Sequence, residues 1–279
     1  MSPSSRPTST PATTSYNGLC QRAHLELEEL GHEVSISLSI SEDEMRLAVL
    51  LFQPDLIICP FLKERVPEDI WKRHTCIVIH PGIKGDRGPS SLDWAISENL
   101  TTWGVTALQA SNEMDAGDIW SSVDFELRFA SKASIYRREV TEAGMRVISD
   151  TVRKFQTGFL PEPLDYSKAD VKGILRPAMK QVERRIDWSR DRTDDIVRKI
   201  HAADSAPGVL DAILGEEYYL YGAHKEELLR GGNPGEIIAQ RCGGICLATT
   251  DGAVLSRRLG RQRHPLAWRS TCNRLAAQS

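Results

Sequence analysis

Two short apolar runs decide the fold class of this chain, namely Asp55–Pro60 (DLIICP) and Cys76–Ile79 (CIVI). Neither run alternates between apolar and polar residues, which is typical of strands that are covered on both faces. Helical patterns flank them, with Glu42–Phe52 before the first run and Glu68–Arg73 between the two. This alternation predicts an α/β fold with a doubly wound, mostly parallel sheet.

The pattern continues on both sides of these runs. It predicts helices at Leu19–Leu30, Ser91–Glu98 and Ser134–Phe155 and strands at Val34–Ile40, Gly104–Gln109 and Trp120–Phe125. We assign residues 15–165 to one main domain. The preceding Met1–Thr14 is rich in Ser, Thr and Pro, so we expect a disordered leader there and a sheet without its first strand.

A second domain is expected after the proline-rich stretch Gly158–Pro163. A helix at Asp191–Ala202 is followed by short strand patterns separated by glycines, at Tyr218–Tyr221, Gly235–Gln240, Ile245–Thr249 and Ala253–Leu255. These features predict a small β-rich domain over residues 180–255. Residues 256–279 form a basic tail of unclear origin, which contains six arginines and no acidic residue.

Composition narrows the function classes. The 279 residues carry a net charge of −3. Because the tail is basic, the net charge of the rest of the chain is more negative still. A negatively charged body argues against a nucleic-acid surface. No apolar run reaches the roughly 20 residues of a membrane span. Six cysteines without a secretory segment favour the cytoplasm. We interpret Cys242 and Cys246 as ordinary strand cysteines, although a metal or redox pair is an alternative.

Two residues are candidates for catalysis. His80 directly follows the second buried strand, and ligands of doubly wound folds bind beyond the carboxyl ends of strands. Asp115 lies in a loop of small residues between two predicted strands. A carboxylate beside an imidazole raises the pKa of the imidazole and fixes its tautomer, as a general acid requires. Each residue taken alone could equally serve the local loop structure.

The stretch from His80 to Ile119 resembles the 10-formyltetrahydrofolate transferase family. The resemblance rests on several short motifs in order, namely His80, Arg87-Gly88, Trp94-Ala95-Ile96, Gly104-Val105-Thr106 and Asp115-Ala116-Gly117-Asp118-Ile119. Arg184–Ser189 resembles the start of the family's OB-like C-terminal domain. Within the family, Gly85–Trp94 and Ala206–Gly208 are most similar to members that act in hydrogenase maturation. The likeness covers most of the chain, from about residue 14 to residue 255.

The resemblance implies formyl transfer from 10-formyltetrahydrofolate through a tetrahedral intermediate. His80 would be the acid, and Asp115 would orient the imidazole and handle the proton on the folate nitrogen. It further implies a cofactor-binding set, consisting of Gln21, Phe61, Leu62, Arg87, Gly117 and Asp118. The acceptor would be coenzyme A, the partners would be hydrogenase maturation proteins, and no metal, nucleic acid or membrane is expected.

The chain departs from the family pattern at Val78, where the transferases usually carry an asparagine that donates to the developing oxyanion. Losing one such donor typically costs about 10²–10³ in rate. We also expect no counterpart, among these residues, of the crotonase-like domain that would release carbon monoxide in the hydrogenase-maturation members. Two alternatives therefore stay open: a non-catalytic folate- or partner-binding remnant, and an enzyme that formylates methionyl-tRNA.

Overall fold

The structure is a computed structural model that describes residues 8–13, 16–38, 41–60, 62, 64–241 and 244–260. They form two compact units. The first contains the described residues of 1–91, 101–127 and 136–178, and the second those of 92–100, 128–135 and 179–260. Two short segments within the predicted domain 15–165 thus belong to the second unit, while residues 166–178 belong to the first.

The first part of the chain alternates helices and strands as expected. In chain order the elements are β1 (Thr8–Thr13), α1 (Gly18–Glu29), β2 (Glu33–Val34), β3 (Ser37–Leu38), α2 (Glu42–Phe52), β4 (Leu56–Pro60), α3 (Glu68–Trp71), β5 (Thr75–His80), α4 (Ser91–Ser97), β6 (Thr102–Gln109), β7 (Ile119–Glu126), α5 (Lys132–Ile135), a π-helical turn (Tyr136–Val140) and α6 (Thr141–Gln156).

These strands build one sheet in the first unit. Its order is β2-β1-β4-β5-β6-β7, and β3 also pairs with β1. The pairings among β1 to β5 are parallel, whereas β6 is antiparallel to β5 and β7 is antiparallel to β6. The predicted doubly wound, mostly parallel sheet is confirmed. β4 is buried throughout, in accord with its continuous apolar sequence.

The expected disordered leader is wrong for Thr8–Thr13, because this segment is the strand β1 inside the sheet. A strand is held by backbone hydrogen bonds, which a polar segment makes as readily as an apolar one. Three of the six residues are threonines, whose branched Cβ favours extended backbone. The strand includes Pro11, which has no N–H to donate to a neighbouring strand. The sheet therefore has its first strand, and the strand predicted at Val34–Ile40 is reduced to the short β2 and β3.

A later segment of the first unit covers the loop that follows β5. The strap segment, as we call residues 166–176, is hydrogen-bonded to this loop at several points. The Tyr166 hydroxyl donates to the Gly85 carbonyl at 3.0 Å, and the Gly173 N–H donates to the Lys84 carbonyl at 2.9 Å. The Arg176 N–H donates to the Arg87 carbonyl at 2.9 Å. The backbone after His80 is therefore fixed from outside.

The second unit contains an antiparallel sheet with the order β10-β11-β12-β9-β8. Its remaining elements are α7 (Gln181–Arg184), α8 (Thr193–Ala203), β8 (Val209–Ile213), β9 (Glu216–Glu226), β10 (Ile237–Arg241), β11 (Gly244–Ala248) and β12 (Ala253–Gly260). α8 packs its apolar side on the sheet through Ile196, Val197 and Ile200. Cys246 is buried in β11, while Cys242 lies outside the described residues.

A buried charge cluster ties three segments of the second unit together. Asp93 accepts two hydrogen bonds from Lys132 Nζ, at 2.9 and 3.0 Å, and one from Arg184 Nη2. Asp93 is 7% exposed and Arg184 is 3% exposed. Two cations thus share one buried carboxylate.

No helix among the described residues combines the length and the apolar character that crossing a bilayer requires.

Candidate active site

His80 is the last residue of β5 and is brought next to two carboxylates. Its Nε2 lies 2.8 Å from Oδ2 of Asp86, and its Nδ1 lies 3.5 Å from Oδ2 of Asp115. The imidazole is buried, with 4% of His80 exposed. The structure therefore joins the two residues that the sequence singled out and adds a third, Asp86.

The loop after β5 brings Asp86 back to His80 by means of glycine. A Cβ on Gly82 would lie 2.4 Å from both His80 Nε2 and Asp86 Oδ2, so only a residue without a side chain fits there. The Gly82 carbonyl accepts a hydrogen bond from Thr106 Oγ1 at 2.8 Å, and Thr106 is the residue paired with His80 across β6. The sheet thus anchors the loop directly beside the imidazole.

Asp86 is more deeply buried than His80 itself. It is 2% exposed, and its Oδ1 has no hydrogen-bond partner among the described residues. A Cβ on Gly173 in the strap segment would lie 1.8 Å from the Asp86 backbone nitrogen, so the strap packs directly against this residue. The strong side-chain contact of this carboxylate is the one with His80.

Asp115 approaches His80 from the loop between β6 and β7. Its backbone is in the left-handed region at φ 52°, and its Oδ2 accepts a hydrogen bond from the Gly88 N–H at 3.1 Å. Gly117, a member of the predicted binding set, packs closely on the backbone of β6: a Cβ on it would lie 1.7 Å from the Gln109 carbonyl oxygen. This close packing alone explains why the position carries a glycine. Asp118 lies exposed beyond it.

Arg87 joins the two loops that carry the carboxylates. Its Nε donates to the Met114 carbonyl at 2.9 Å, and its Nη2 donates to Glu113 at 3.1 Å. Asp86, its neighbour in the sequence, turns toward His80 instead. In this structure Arg87 holds the Asp115 loop in place.

The surroundings of His80 raise its pKa above the ordinary value for histidine. Burial is the largest single influence and lowers the pKa, because it disfavours the charged imidazolium. The hydrogen bond to Asp86 and the negative charges of Asp115 and Asp86 act in the opposite direction and together outweigh burial. His80 is therefore well placed to hold a proton near neutral pH.

Val78 lies two residues before His80 on β5, so the two side chains project from the same face of the sheet. Val78 packs against a buried apolar cluster that includes Met45, Ile57 and Cys59. The position where the family places an amide donor is thus part of a hydrophobic surface. Leu62, one of the predicted binding residues, packs against the same cluster.

The other predicted binding residues lie on separate elements. Gln21 is exposed on the first turn of α1, where its side chain donates to the Tyr16 carbonyl at 3.1 Å. Phe61 lies outside the described residues. Asp86 is the site residue that sequence reasoning missed. The only signal was an acidic residue six positions after His80 in a glycine-rich loop, and that pattern does not indicate which way the side chain turns.

Comparisons with known proteins agree with this architecture. Residues 178–275 match the model of the formyl transferase C-terminal domain. Over 241 residues the chain is 44% identical to the hydrogenase maturation factor HoxX of Bradyrhizobium diazoefficiens, covering 86% of this chain and 42% of HoxX. HypX from Aquifex aeolicus, solved in complex with tetrahydrofolic acid, matches with a TM-score of 0.86 at 42% identity, covering 91% of this chain and 44% of HypX.

A more distant relative is the methionyl-tRNA formyltransferase of Bacillus mycoides, which is 27% identical over 228 residues, or 81% of this chain and 71% of that enzyme. Residues 178–275 thus carry a formyl transferase C-terminal domain, and the chain has the fold of the formyltransferases. Over most of its length it is similar to the hydrogenase maturation proteins HoxX and HypX. It spans less than half the length of either one.

Proposed function

We propose that the first unit transfers a formyl group from 10-formyltetrahydrofolate to the thiol of coenzyme A. The observation that carries this proposal is the position of His80 at the carboxyl end of β5 between the carboxylates of Asp86 and Asp115. An imidazole with a raised pKa, held at a strand end, is what a general acid near neutral pH requires. The complex of HypX with tetrahydrofolic acid supports folate as the donor class.

In the reaction, the thiol sulfur forms a bond to the formyl carbon and gives up its proton. The bond from that carbon to the folate nitrogen then breaks, and the nitrogen takes a proton from His80. Asp115 accepts the thiol proton and returns it to the imidazole, so the site ends in its starting protonation state. Arg87 and Gly117 keep the Asp115 loop in place, while Gln21, Phe61, Leu62 and Asp118 remain candidates for holding the folate.

The cellular role that we propose is supply of a one-carbon unit for the carbon monoxide ligand of a nickel–iron hydrogenase, in the cytoplasm and together with maturation proteins. The similarity to HoxX supports this role. Release of carbon monoxide would require a further activity. In the hydrogenase-maturation members that the sequence resembles, this activity is attributed to a crotonase-like domain.

The test is a formyl-transfer assay of the purified chain with 10-formyltetrahydrofolate and coenzyme A, following formyl-coenzyme A by mass. We expect His80→Asn to lose about 10²–10⁴ of the rate, since general acid–base catalysis contributes that much. The control is His74→Asn, which changes a histidine outside the cluster. Folate binding without any transfer in the wild-type protein would refute the proposal.

That last outcome would favour the second candidate, a non-catalytic folate-binding protein. The specific observation in its favour is Val78, which places an apolar surface where the family has an amide donor. A third candidate, formylation of methionyl-tRNA, would be indicated by tRNA binding that weakens steeply as salt is raised.

A further inference from the structure

We propose that Asp86 is the positioning residue of the site: it holds Nε2 of His80, so that Nδ1, on the Asp115 side, is the nitrogen that exchanges protons with the substrate. This inference rests on the proposed function for its chemical meaning. The underlying geometry, a histidine held on one edge and available on the other, does not depend on the identity of the acceptor.

The contacts of the two carboxylates differ in a way that assigns them different tasks. Asp86 approaches Nε2 at 2.8 Å, an ordinary hydrogen-bond distance, whereas Asp115 is 3.5 Å from Nδ1. The side chain of Asp86 is 1% exposed and that of Asp115 is 12% exposed. The shorter, more buried contact is the stronger one, so the imidazole is oriented by Asp86.

The Nε2 edge of the imidazole is also closed to other molecules. The Gly82 backbone lies directly over the Nε2–Asp86 contact, as the 2.4 Å distances from a hypothetical Cβ show. The strap segment packs against the Asp86 backbone at Gly173. A substrate cannot reach Nε2 without displacing main chain, and the more exposed edge is the one that faces Asp115.

The electrostatics of Asp86 add to this assignment. Its Oδ1 is buried without a hydrogen-bond partner among the described residues, so the charge of the carboxylate depends heavily on His80 for compensation. A buried carboxylate of this kind interacts with an imidazolium far more strongly than an exposed one does. The charged groups that act on His80 are Asp86 and Asp115, and both favour the protonated ring.

The resulting proton path uses one nitrogen only. His80 Nδ1 gives its proton to the folate nitrogen as the bond from that nitrogen to the formyl carbon breaks. The thiol proton, taken up by Asp115, then returns to Nδ1. Nε2 keeps its proton throughout and Asp86 stays ionised, in the manner of the buried aspartate that orients the histidine of a serine protease without itself being protonated.

The experiment is nuclear magnetic resonance of the full chain with ¹⁵N-labelled histidine, which reports the pKa of His80 and the protonated nitrogen of its neutral ring. We expect the neutral ring of the wild-type protein to carry its proton on Nε2. We expect Asp86→Asn to lower the pKa of His80 and to shift the high-pH limb of formyl transfer downward, with kcat reduced about tenfold or more and KM little changed.

The matched control is Asp170→Asn, which removes an exposed carboxylate that pairs with Lys84 of the same loop at 2.6 Å. It should leave the pKa of His80 and the pH profile unchanged. If Asp86→Asn fails to fold, Asp86→Ser provides the same measurement. A neutral ring protonated on Nδ1, or a His80 pKa that Asp86→Asn leaves unchanged, would overturn the assignment. These spectra test the role of Asp86 even if the wild-type protein transfers no formyl group. Failure of this assignment can therefore be told apart from failure of the proposed function.

Discussion

Gly82 lies so close to His80 that one added methyl group would come within 2.4 Å of Nε2. The same methyl group would collide with the Asp86 carboxylate at the same distance. The contact between an imidazole and a buried carboxylate is therefore possible only because position 82 carries no side chain.

Gly82→Ala should separate His80 from Asp86 and reduce formyl transfer, by about 10² or more, because a catalytic group displaced by about 1 Å can lose that much. A pH profile and a transfer assay would measure this. Gly18→Ala, where nothing lies within 4 Å of the added Cβ, is the matched control and should keep full activity. Equal activity of the two variants would contradict the packing argument.

Val78→Asn tests whether the missing amide donor limits the rate. If the oxyanion lies near this position, the variant should transfer formyl groups faster, by up to about 10²–10³. The opposing effect is the cost of placing an amide against the apolar cluster, about 1–3 kcal/mol of stability. The control is Val49→Asn. Val49 packs against the same cluster, so the variant should lose a similar amount of stability, but it places no amide donor on β5. A rate gain in both variants, or in neither, would argue against a role for position 78.

The raised pKa of His80 makes the stability of the protein depend on pH. Because the folded pKa lies above the unfolded value of about 6.5, protonation stabilises the fold. This contribution is complete below about pH 6.5 and is lost as the pH rises through the folded pKa. Urea unfolding of wild type and His80→Gln should therefore show a larger difference in free energy at about pH 6 than at about pH 9. A difference that does not vary with pH would mean that folding leaves the pKa of His80 unchanged.

Asp93→Asn should destabilise the second unit strongly, by about 3–5 kcal/mol, because it leaves the buried Arg184 and the half-buried Lys132 without a carboxylate. Arg184→Met should cost less, since it leaves a one-to-one pair of Lys132 with Asp93. The exposed pair of Lys84 with Asp170 provides the control, and Asp170→Asn should change stability by at most about 1 kcal/mol. Denaturant unfolding measures the free energy of unfolding of all three variants. If Arg184→Met lowered it as much as Asp93→Asn, charge balance would not be the cause.

The sequence was sufficient for the features that apolar pattern and motif order determine. β4 and β5 are predictable because their short continuous apolar runs lie between helical patterns, and His80 is predictable because it follows one of these strands. β1 was missed because its pairing comes from the backbone, which hydropathy does not report. β8 was missed for a related reason, since Val209–Ile213 is too short and mixed to stand out.

Asp86 could not be predicted from the sequence, for a geometric reason. Whether a carboxylate six residues after a histidine turns toward it depends on the dihedral angles of the loop between them. Gly85 adopts φ 86° there and Gly82 permits the close approach, but the sequence shows only that glycines are present. A pattern can indicate that a loop is permissive without indicating where its side chains point.

The strap segment has a consequence for the order in which the protein is made. Its hydrogen bonds to Lys84, Gly85 and Arg87 come from residues 166–176, which leave the ribosome long after every strand of the first sheet. A nascent chain that has reached residue 165 carries His80 and both carboxylates, yet the cover over Asp86 is still unsynthesised. During translation the site is therefore completed by the last segment of the first unit to emerge.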